Sequence, residues 1–423
     1  MANARKAAAL ALVEVETDAA YSNITLNKIF SKYELSKEDR AFTSALFYGV
    51  LDRKITIDYI LSKFIKKPLL KITPFTVSVL RISVYQLNFM ERIPESAAVN
   101  EAVKLVKSSK ERFNASFVNA VLRNIIRNKV EIPAGNDKKS LSIRFSCPEW
   151  IVKSFINDYG EKIAVELLEE SLKAPPVILR VNTCKITCCE LIRELEAEGI
   201  TVRETDVKNA LSVLGGIDVR ASECYRKGFF HIQDTASQLS VSKLEPKPLE
   251  RVVNLCSAPG GKSFTMAELM ENKGEVLSFD LYESRVELIK KGAERLGLSV
   301  IKASVGDATV YNPDIGQFDA VLCDVPCSGL GVLRRKPEIK YKEVGELSGL
   351  EEIQQKILKN ADRYLKKGGR LLYSTCTLRK AENEEQIKAF LDKNTNYELQ
   401  YEHSYMPQND NTDGFYCALL KKG

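Results

Sequence analysis

Apolar runs that suit buried strands alternate regularly with helical stretches from about residue 250 to the end of the chain. The expected strands are RVVNLC (251–256), GEVLSFD (274–280), FDAVLCD (318–324), GGRLLYSTC (368–376) and GFYCALL (414–420). This alternation indicates a doubly wound sheet, in which ligands bind beyond the carboxyl ends of the strands. We therefore expect a Rossmann-like α/β domain over residues 236–423.

The N-terminal third has a helical pattern from residue 5 to about 128. Its clearest apolar stripe, at helical spacing, is Phe117, Val118, Val121, Leu122, Ile125 and Ile126. We expect an all-α bundle of about six or seven helices over residues 1–130. The opening MANARKAAALALVEVE resembles a signal peptide only superficially, because Glu14 and Glu16 follow its apolar run at once. It is interpreted as an amphipathic first helix.

Between these two parts the pattern changes. The polar segment 131–140 contains Pro and Gly and is the predicted linker. A helical stretch follows at 148–172. Then come expected strands at 177–182, 201–205 and 229–233, with a helix at 191–199. Short strands mixed with helices indicate a small α/β unit over residues 139–235.

Composition excludes several classes of protein and site. With 44% hydrophobic and 28% charged residues among 423, the chain has apolar side chains for more than one core. No run approaches the roughly eighteen apolar residues of a membrane span. The ten cysteines include no CxxC pair, and the two histidines, His231 and His403, lack zinc-ligand spacing. We expect no metal, no membrane and a reducing cytoplasm that keeps the thiols free.

The basic excess of the chain lies in its first third. Residues 1–130 carry 21 Lys and Arg against 12 Asp and Glu, whereas the remainder carries 41 against 44. A basic module attached to a neutral one suggests that the N-terminal part faces a nucleic acid. Charge alone leaves open a second interpretation, a well-solvated helical surface.

The loop NLCSAPGGKS (254–263) follows the first strand of the C-terminal domain. Two glycines and a proline allow the backbone to approach a ligand closely, and the helix N-terminus that follows favours an anionic group. The loop fits neither a Walker phosphate loop nor G-x-G-x-x-G, so a ligand carboxylate is the expected anion. The alternative is a simple tight strand–helix turn.

Acidic residues follow the next two strands. Asp280 ends the second strand, where such a side chain typically accepts hydrogen bonds from ribose hydroxyls, and Asp307, in ASVGDA (303–308), is similarly placed after a further strand between the second and third of those named above. Together with the glycine loop they suggest a nucleoside-shaped pocket. Either carboxylate could instead cap a helix.

Cys327 and Cys376 each lie just past a core strand, and Asp324 precedes Cys327 by three residues. A thiolate is a strong nucleophile when its pKa is lowered. No histidine lies in these motifs to act as its base, which argues against a papain-like hydrolase. The alternative interpretation is a pair of buried structural thiols.

These residues together resemble a known family. The run CSAPGGK, Asp280, Asp307, DVPCSG and STCT resemble S-adenosylmethionine-dependent RNA cytosine-carbon-5 methyltransferases, and NEAV and VNAVLRNIIR resemble NusB-type RNA-binding domains. The combination is similar to the RsmB (Sun) family, which modifies 16S rRNA, over essentially the whole chain. RVN (180–182) and IQDTASQLS (232–240) resemble its small RRM-like unit and the lead into the catalytic domain.

The resemblance implies a role for each motif. Asp280 would bind the ribose hydroxyls with Arg285 nearby, and Asp307 would lie by the adenine. Asp324 would face both the cofactor and the target base. Cys376 would be the nucleophile, and Cys327 would assist breakdown of the covalent adduct. The residues implied to hold the methionine part of the cofactor are Cys256, Ser257, Ala258, Pro259, Gly260, Gly261 and Lys262.

Three residues depart from the family pattern: Asn254 stands where an aspartate is usual, and Ser257 and Val325 stand where alanines are usual. None removes a reacting group. The resemblance also implies a monomer that acts in the cytoplasm on 16S rRNA in an early or partly assembled small subunit. Two alternatives stay open: the same chemistry on tRNA or 23S rRNA, and a non-catalytic RNA-binding or antitermination factor.

Overall fold

The computed structural model describes residues 4–18, 22–215 and 218–423. The chain divides into two compact units. The first comprises residues up to Lys173 together with Leu333–Lys342, and the second comprises Ala174–Val332 and Glu343–Gly423. The domain boundaries derived from the sequence stay predictions. Residues 1–3 and 19–21 of the predicted helical third lie outside the described ranges.

The first unit is built from helices, as the periodicity predicts. They are α1 (Ala4–Asp18), α2 (Ser22–Lys32), α3 (Lys37–Ser62), α4 (Pro74–Phe89), α5 (Glu95–Lys107), α6 (Ala115–Arg127), α7 (Lys138–Phe145) and α8 (Glu149–Glu170). Ser36 caps α3 by accepting a hydrogen bond from the Asp39 N–H, Pro74 is the first residue of α4, and Pro94 immediately precedes α5. The predicted linker therefore ends inside α7.

Helix α6 illustrates the packing of this bundle. Val118, Val121, Leu122 and Ile125 are buried in one core together with the small side chains of α1. Phe117, at the edge of the predicted stripe, is only partly buried. The apolar face at helical spacing is thus the face that packs, as predicted.

A segment distant in sequence completes the helical unit. Leu333–Lys342 contains a 3-10 helix, Pro337–Tyr341. The Tyr341 hydroxyl donates to the Leu51 carbonyl oxygen, and Lys340 Nζ lies 3.4 Å from the Asp52 carbonyl oxygen. Lys340 is fully buried, which lowers its pKa. No local pattern in the sequence indicates that this segment belongs with the helices.

The second unit begins with a small antiparallel sheet. Its elements are β1 (Ile178–Val181), α9 (Cys188–Ala197), β2 (Val202–Glu204), β3 (Ala210–Val213), α10 (Glu223–Arg226) and β4 (Phe230–Ile232). The strand order is β2-β3-β1-β4, and all pairs are antiparallel. The predicted small α/β unit is confirmed, although β3 was missed.

The rest of the second unit is the larger α/β domain. Its elements are α11 (Thr235–Leu244), β5 (Arg251–Asn254), α12 (Gly261–Leu269), β6 (Glu275–Asp280), α13 (Glu283–Leu296), β7 (Ile301–Val305), β8 (Phe318–Asp324), α14 (Leu350–Tyr364), β9 (Leu365–Thr375), α15 (Glu384–Leu391), β10 (Tyr397–Tyr405), α16 (Pro407–Asp410) and β11 (Phe415–Lys422). The strand order is β10-β11-β9-β8-β5-β6-β7. From β9 to β7 the pairing is parallel, which confirms the predicted sheet. The antiparallel pair β10–β11 adds a strand that the sequence analysis missed.

A buried ion pair joins the small sheet to the helix that follows the glycine-rich loop. Arg180 Nε of β1 lies 3.0 Å from Glu268 Oε2 of α12, and His231 Nδ1 of β4 lies 3.3 Å from Glu268 Oε1. The Asn182 amide also donates to the Leu296 carbonyl oxygen of α13 at 2.8 Å. The small sheet is therefore fixed to the larger domain by polar contacts.

We expect Glu268→Ala to destabilise the second unit by about 3–5 kcal/mol, because it leaves the Arg180 guanidinium buried without its charge partner. Urea unfolding followed by tryptic accessibility of the second unit measures the loss. Glu271→Ala is the matched control, since Glu271 is exposed and forms a surface ion pair with Lys273. A loss below about 1 kcal/mol, as for a surface pair, contradicts this expectation.

Candidate active site

The carboxyl ends of β5, β6, β8 and β9 lie at one edge of the parallel sheet, as parallel pairing requires. The four loops singled out in the sequence begin there. The loop after β5 runs from Leu255 to Gly260, and α12 begins at Gly261. Helix geometry leaves the N–H groups of this first turn without carbonyl partners inside the helix.

Asn254 organises this loop. Its Oδ1 accepts from the Cys256 N–H at 3.3 Å, and its Nδ2 lies 3.1 Å from Ser263 Oγ. The Ser257 hydroxyl donates to the Asn254 carbonyl oxygen at 2.9 Å. Asn254 and Ser257, two of the three departures from the family pattern, are therefore both accommodated by hydrogen bonds within the loop.

Gly260 has a backbone conformation that only glycine adopts readily, with φ at +111°. A Cβ at this position would lie 2.4 Å from the ring of Phe264. The glycine is thus required both by its backbone conformation and by the close approach of the Phe264 ring. It keeps the turn into α12 tight.

Asp280 is buried at the end of β6 and holds the glycine-rich loop. Its Oδ2 accepts from the Ala258 N–H at 3.2 Å, and its Oδ1 accepts from the Tyr282 N–H at 3.3 Å. Arg285 Nη1 lies 3.9 Å from the same Oδ1. The structure therefore brings Asp280 and Arg285 together beside the loop.

Asp307 follows β7 and is exposed. Its Oδ1 accepts from both the N–H and the hydroxyl of Thr309, at 2.8 and 2.7 Å, so part of its bonding capacity is used locally. Burial raises the pKa of Cys256, and the charges of Asp324, Asp280 and Asp307 raise it further. All three carboxylates thus act on the same thiol in the first loop.

Asp324 ends β8 and has two partners. Its Oδ2 accepts from Lys262 Nζ at 2.7 Å, and its Oδ1 accepts from the Ser374 hydroxyl at 3.0 Å. Lys262 Nζ also lies 4.9 Å from the centroid of the Phe415 ring. Lys262 therefore links the glycine-rich loop to Asp324, which precedes Cys327 by three residues.

The two cysteine loops lie side by side. Cys327 Sγ is 3.3 Å from Cys376 Sγ, so the thiols are in contact. Ser328 Oγ and Thr377 Oγ1, each next to one cysteine, are 2.7 Å apart. The pKa of Cys327 is raised, first by its hydrogen bond to Cys376 and then by burial and by the charges of Cys376 and Glu382.

Sequence reasoning missed the residues that support these loops. Glu382 accepts from the Ser328 N–H at 2.9 Å, and Asn383 binds both Thr375 Oγ1 and the Thr377 carbonyl oxygen. Both side chains are fully buried. They lie in a charged stretch that looks like an ordinary helix start, so no local pattern identified them.

Neither histidine takes part in this arrangement. His231 lies in the small sheet beside Glu268, and His403 lies in β10 against Tyr405. Within residues 4–18, 22–215 and 218–423, no group of three or more His, Cys, Asp or Glu side chains could hold a metal ion. Over those same ranges, no helix is long and apolar enough to cross a membrane.

Three models of known families match the chain. They describe a 16S rRNA methyltransferase RsmB/F over residues 241–421, the NusB family over 2–127 and the ferredoxin-like domain of RsmF/B-like methyltransferases over 147–220. A protein of Bacillus subtilis (strain 168), named "Probable ribosomal RNA small subunit methyltransferase B", is 40% identical over 437 residues, covering 98% of this chain and 97% of that protein. The chain belongs to the RsmB/F family of methyltransferases.

Other members and structures agree over the full length. A Synechocystis protein with the same name (strain PCC 6803) is 31% identical over 445 residues, covering 100% of both chains. The crystal structure of PH0851 has 26% sequence identity and a TM-score of 0.86, covering 100% of this chain and 99% of that one. The resemblance stated from the motifs is confirmed, as are its helical NusB-type part and its α/β methyltransferase part, and the small unit expected to be RRM-like matches a ferredoxin-like domain.

Proposed function

We propose that this RsmB/F-family protein methylates carbon 5 of a cytosine in 16S rRNA, through a covalent cysteine adduct and with S-adenosylmethionine as cofactor. The observation that carries the proposal is the contact between the Cys327 and Cys376 sulfur atoms, 3.3 Å apart, in loops that follow the hydrogen-bonded pair Asp324 and Ser374. The names of the full-length relatives, small subunit methyltransferases, support the choice of substrate. The target cytosine must be unpaired or flipped out to reach two thiols at a sheet edge.

The residues present fit the cofactor. Gly260 and Gly261 keep the backbone open at the start of α12, where the helix N-terminus favours the methionine carboxylate. Asp280 accepts two backbone N–H bonds, and as a carboxylate it has further acceptor capacity for the ribose hydroxyls. When bound, S-adenosylmethionine supplies the methyl group. Asp307, exposed after β7, would lie by the adenine.

Cys376 activates the cytosine ring. Carbon 5 of cytosine is too weak a nucleophile to accept a methyl group directly. Addition of the Cys376 thiolate to carbon 6 pushes the π electrons toward carbon 5 and ring nitrogen 3. Asp324 stabilises the adduct by presenting a proton to nitrogen 3, and Lys262 Nζ, 2.7 Å from Asp324 Oδ2, is placed to share that proton.

Release of the product needs one proton transfer and one elimination. After carbon 5 is methylated, Cys327 loses its own proton to solvent and, as a thiolate, takes the proton from that carbon, the double bond re-forms and the Cys376 thiolate leaves carbon 6. Cys327 is then a thiol and Cys376 a thiolate, as before the reaction. Cys327 acts only in this second half, which gives the two cysteines separable roles.

Cysteine variants test these roles. Cys376→Ala should neither methylate 16S rRNA nor form a covalent complex with it, because the attacking sulfur is gone. Cys327→Ala should form the adduct but fail to resolve it, and should accumulate as a protein–RNA band on denaturing gels with S-adenosylmethionine present. Cys417→Ala, a buried thiol on β11, is the control. The reverse pattern exchanges the roles, and full activity of both variants removes covalent catalysis.

Asp280→Ala should weaken S-adenosylmethionine binding by about 1–3 kcal/mol, roughly 5- to 150-fold in Kd, because donors on the cofactor and on the loop lose their acceptor. Calorimetric titration of the full-length protein measures it. Asp392→Ala, at an exposed position after α15, is the control. Unchanged affinity in Asp280→Ala shows that this carboxylate only supports the loop.

The helical unit has a surface that suits RNA. Two exposed basic loops meet there: Lys66, Lys67 and Lys71 surround Leu70, and Lys107, Lys110 and Arg112 adjoin Phe113. Leu70 is 99% and Phe113 is 72% exposed. Glu111 joins the loops by accepting from the N–H and hydroxyl of Thr76, at 2.8 and 2.6 Å. Clustered cations with an exposed aromatic ring bind phosphates and an unstacked base.

Replacing Lys66, Lys67 and Lys71 by Ala should weaken 16S rRNA binding and reduce the dependence of log K on log salt by about 2–3, because about one counterion is released per phosphate neutralised. Filter binding across a salt series measures both effects. The matched control replaces three exposed lysines of the same unit, Lys129, Lys138 and Lys139. Equal salt slopes for the two triple variants exclude this surface as an RNA site.

A further inference from the structure

Two buried side chains outside the cysteine motifs form hydrogen bonds with the backbone around Cys327. Glu382 Oε2 accepts from the Ser328 N–H at 2.9 Å and from Gln354 Nε2 at 3.0 Å. Gln354 Nε2 also donates to the Pro326 carbonyl oxygen at 3.0 Å. The peptide groups before and after Cys327 are therefore both bound to the Glu382–Gln354 pair, and both of these side chains are fully buried.

Glu382 has a charge partner on its other side. Its Oε1 accepts from Arg379 Nη1 at 3.0 Å, and Arg379 Nη2 lies 3.1 Å from Glu351 Oε1. The Glu382 carboxylate thus lies beneath the loop of one cysteine, with an arginine and two further N–H donors around it.

We propose that Glu382 is a positioning residue that makes the two cysteines unequal: it fixes the Cys327 loop and keeps Cys327 a neutral thiol, so that Cys376 alone attacks. This inference rests on the cysteine roles in the proposed function. Two thiolates 3.3 Å apart would repel each other, whereas a neutral Cys327 thiol can donate a hydrogen bond to the Cys376 thiolate and stabilise it.

The charges around Cys327 agree with this assignment. The groups that act on it are Cys376 and Glu382, and the Tyr373 hydroxyl, which donates to the Glu382 carbonyl oxygen at 2.6 Å, lies close by. Cys376 and Glu382 both raise the pKa of Cys327. Once Cys376 is bonded to carbon 6, its contribution disappears, and Cys327 becomes easier to ionise when its base function is needed.

The test measures alkylation of Cys327 in the full-length protein without RNA, by iodoacetamide labelling from pH 6 to 10 and peptide mass spectrometry. A Cys376→Ala background isolates the effect of Glu382. Glu382→Gln should speed alkylation of Cys327 about tenfold at a given pH, as expected for a pKa lowered by about one unit. Arg379→Met, which leaves the Glu382 charge unneutralised, should slow it. Loosening of the loop alone would speed alkylation in both variants.

Three further comparisons complete the test. Gln354→Leu removes loop contacts but no charge, and should not reproduce the effect of Glu382→Gln. Glu385→Gln, at an exposed position of α15, should match the parent. In the background with both cysteines, Glu382→Gln should lower kcat for methylation and leave the Kd of S-adenosylmethionine unchanged.

Equal alkylation of Cys327 in the parent and in Glu382→Gln overturns the proposal, as does faster alkylation in Arg379→Met. If Glu382→Gln does not fold, Arg379→Met alone tests the proposal: slower alkylation of Cys327 supports it, and faster alkylation contradicts it. Because alkylation involves neither RNA nor methyl transfer, this result stands apart from the cysteine roles. Those roles fail separately if Cys327→Ala traps no adduct.

Discussion

The parallel pairing of β8 with β9 is the constraint on which the site depends. It places Asp324 opposite Ser374, and the two side chains are hydrogen-bonded at 3.0 Å. Cys327 and Cys376 follow these residues by three and two positions, so a separation of 49 residues becomes a contact between sulfur atoms. A slip of one residue would turn Asp324 to the other face of the sheet and separate it from Ser374.

More carboxylates than cations lie at the edge of the sheet where the parallel strands end. Asp280, Asp307 and Asp324 all raise the pKa of Cys256, whereas Arg285 opposes them. A neutral Asn254 therefore fits this loop better than an added acid would. Its amide donates to Ser263 and accepts from the Cys256 N–H, whereas an ionised aspartate could only accept. The departure from the family pattern keeps the loop fixed while reducing local negative charge.

The periodicity of apolar residues predicted the helices and strands in which buried and exposed side chains follow a regular pattern. It missed the strands that lack such a pattern. β10 is a mostly polar edge strand with few buried residues, and β3 is buried at three of its four positions, so that it shows no alternation. Leu333–Lys342 packs with α3 through contacts between residues about 290 positions apart, which no local pattern encodes. The candidate site residues could be chosen because each follows an apolar run. Glu382 could not, since its role depends on partners on other elements.

Polar support of the cysteine loops has a physical reason. An apolar filling beneath the Pro326–Ser328 backbone would bury that backbone equally well but would leave its N–H and carbonyl groups without partners, at a cost of about 1–3 kcal/mol each. Glu382 and Gln354 satisfy these groups, and Asn383 satisfies the Thr377 carbonyl oxygen of the other cysteine loop, so that each loop is held in one conformation. Such a network stabilises the loops much less when one member is missing, because the partners of that member are left without hydrogen bonds. The relative placement of the two sulfur atoms is therefore set by backbone hydrogen bonds from buried side chains, not by the packing of the cysteines themselves.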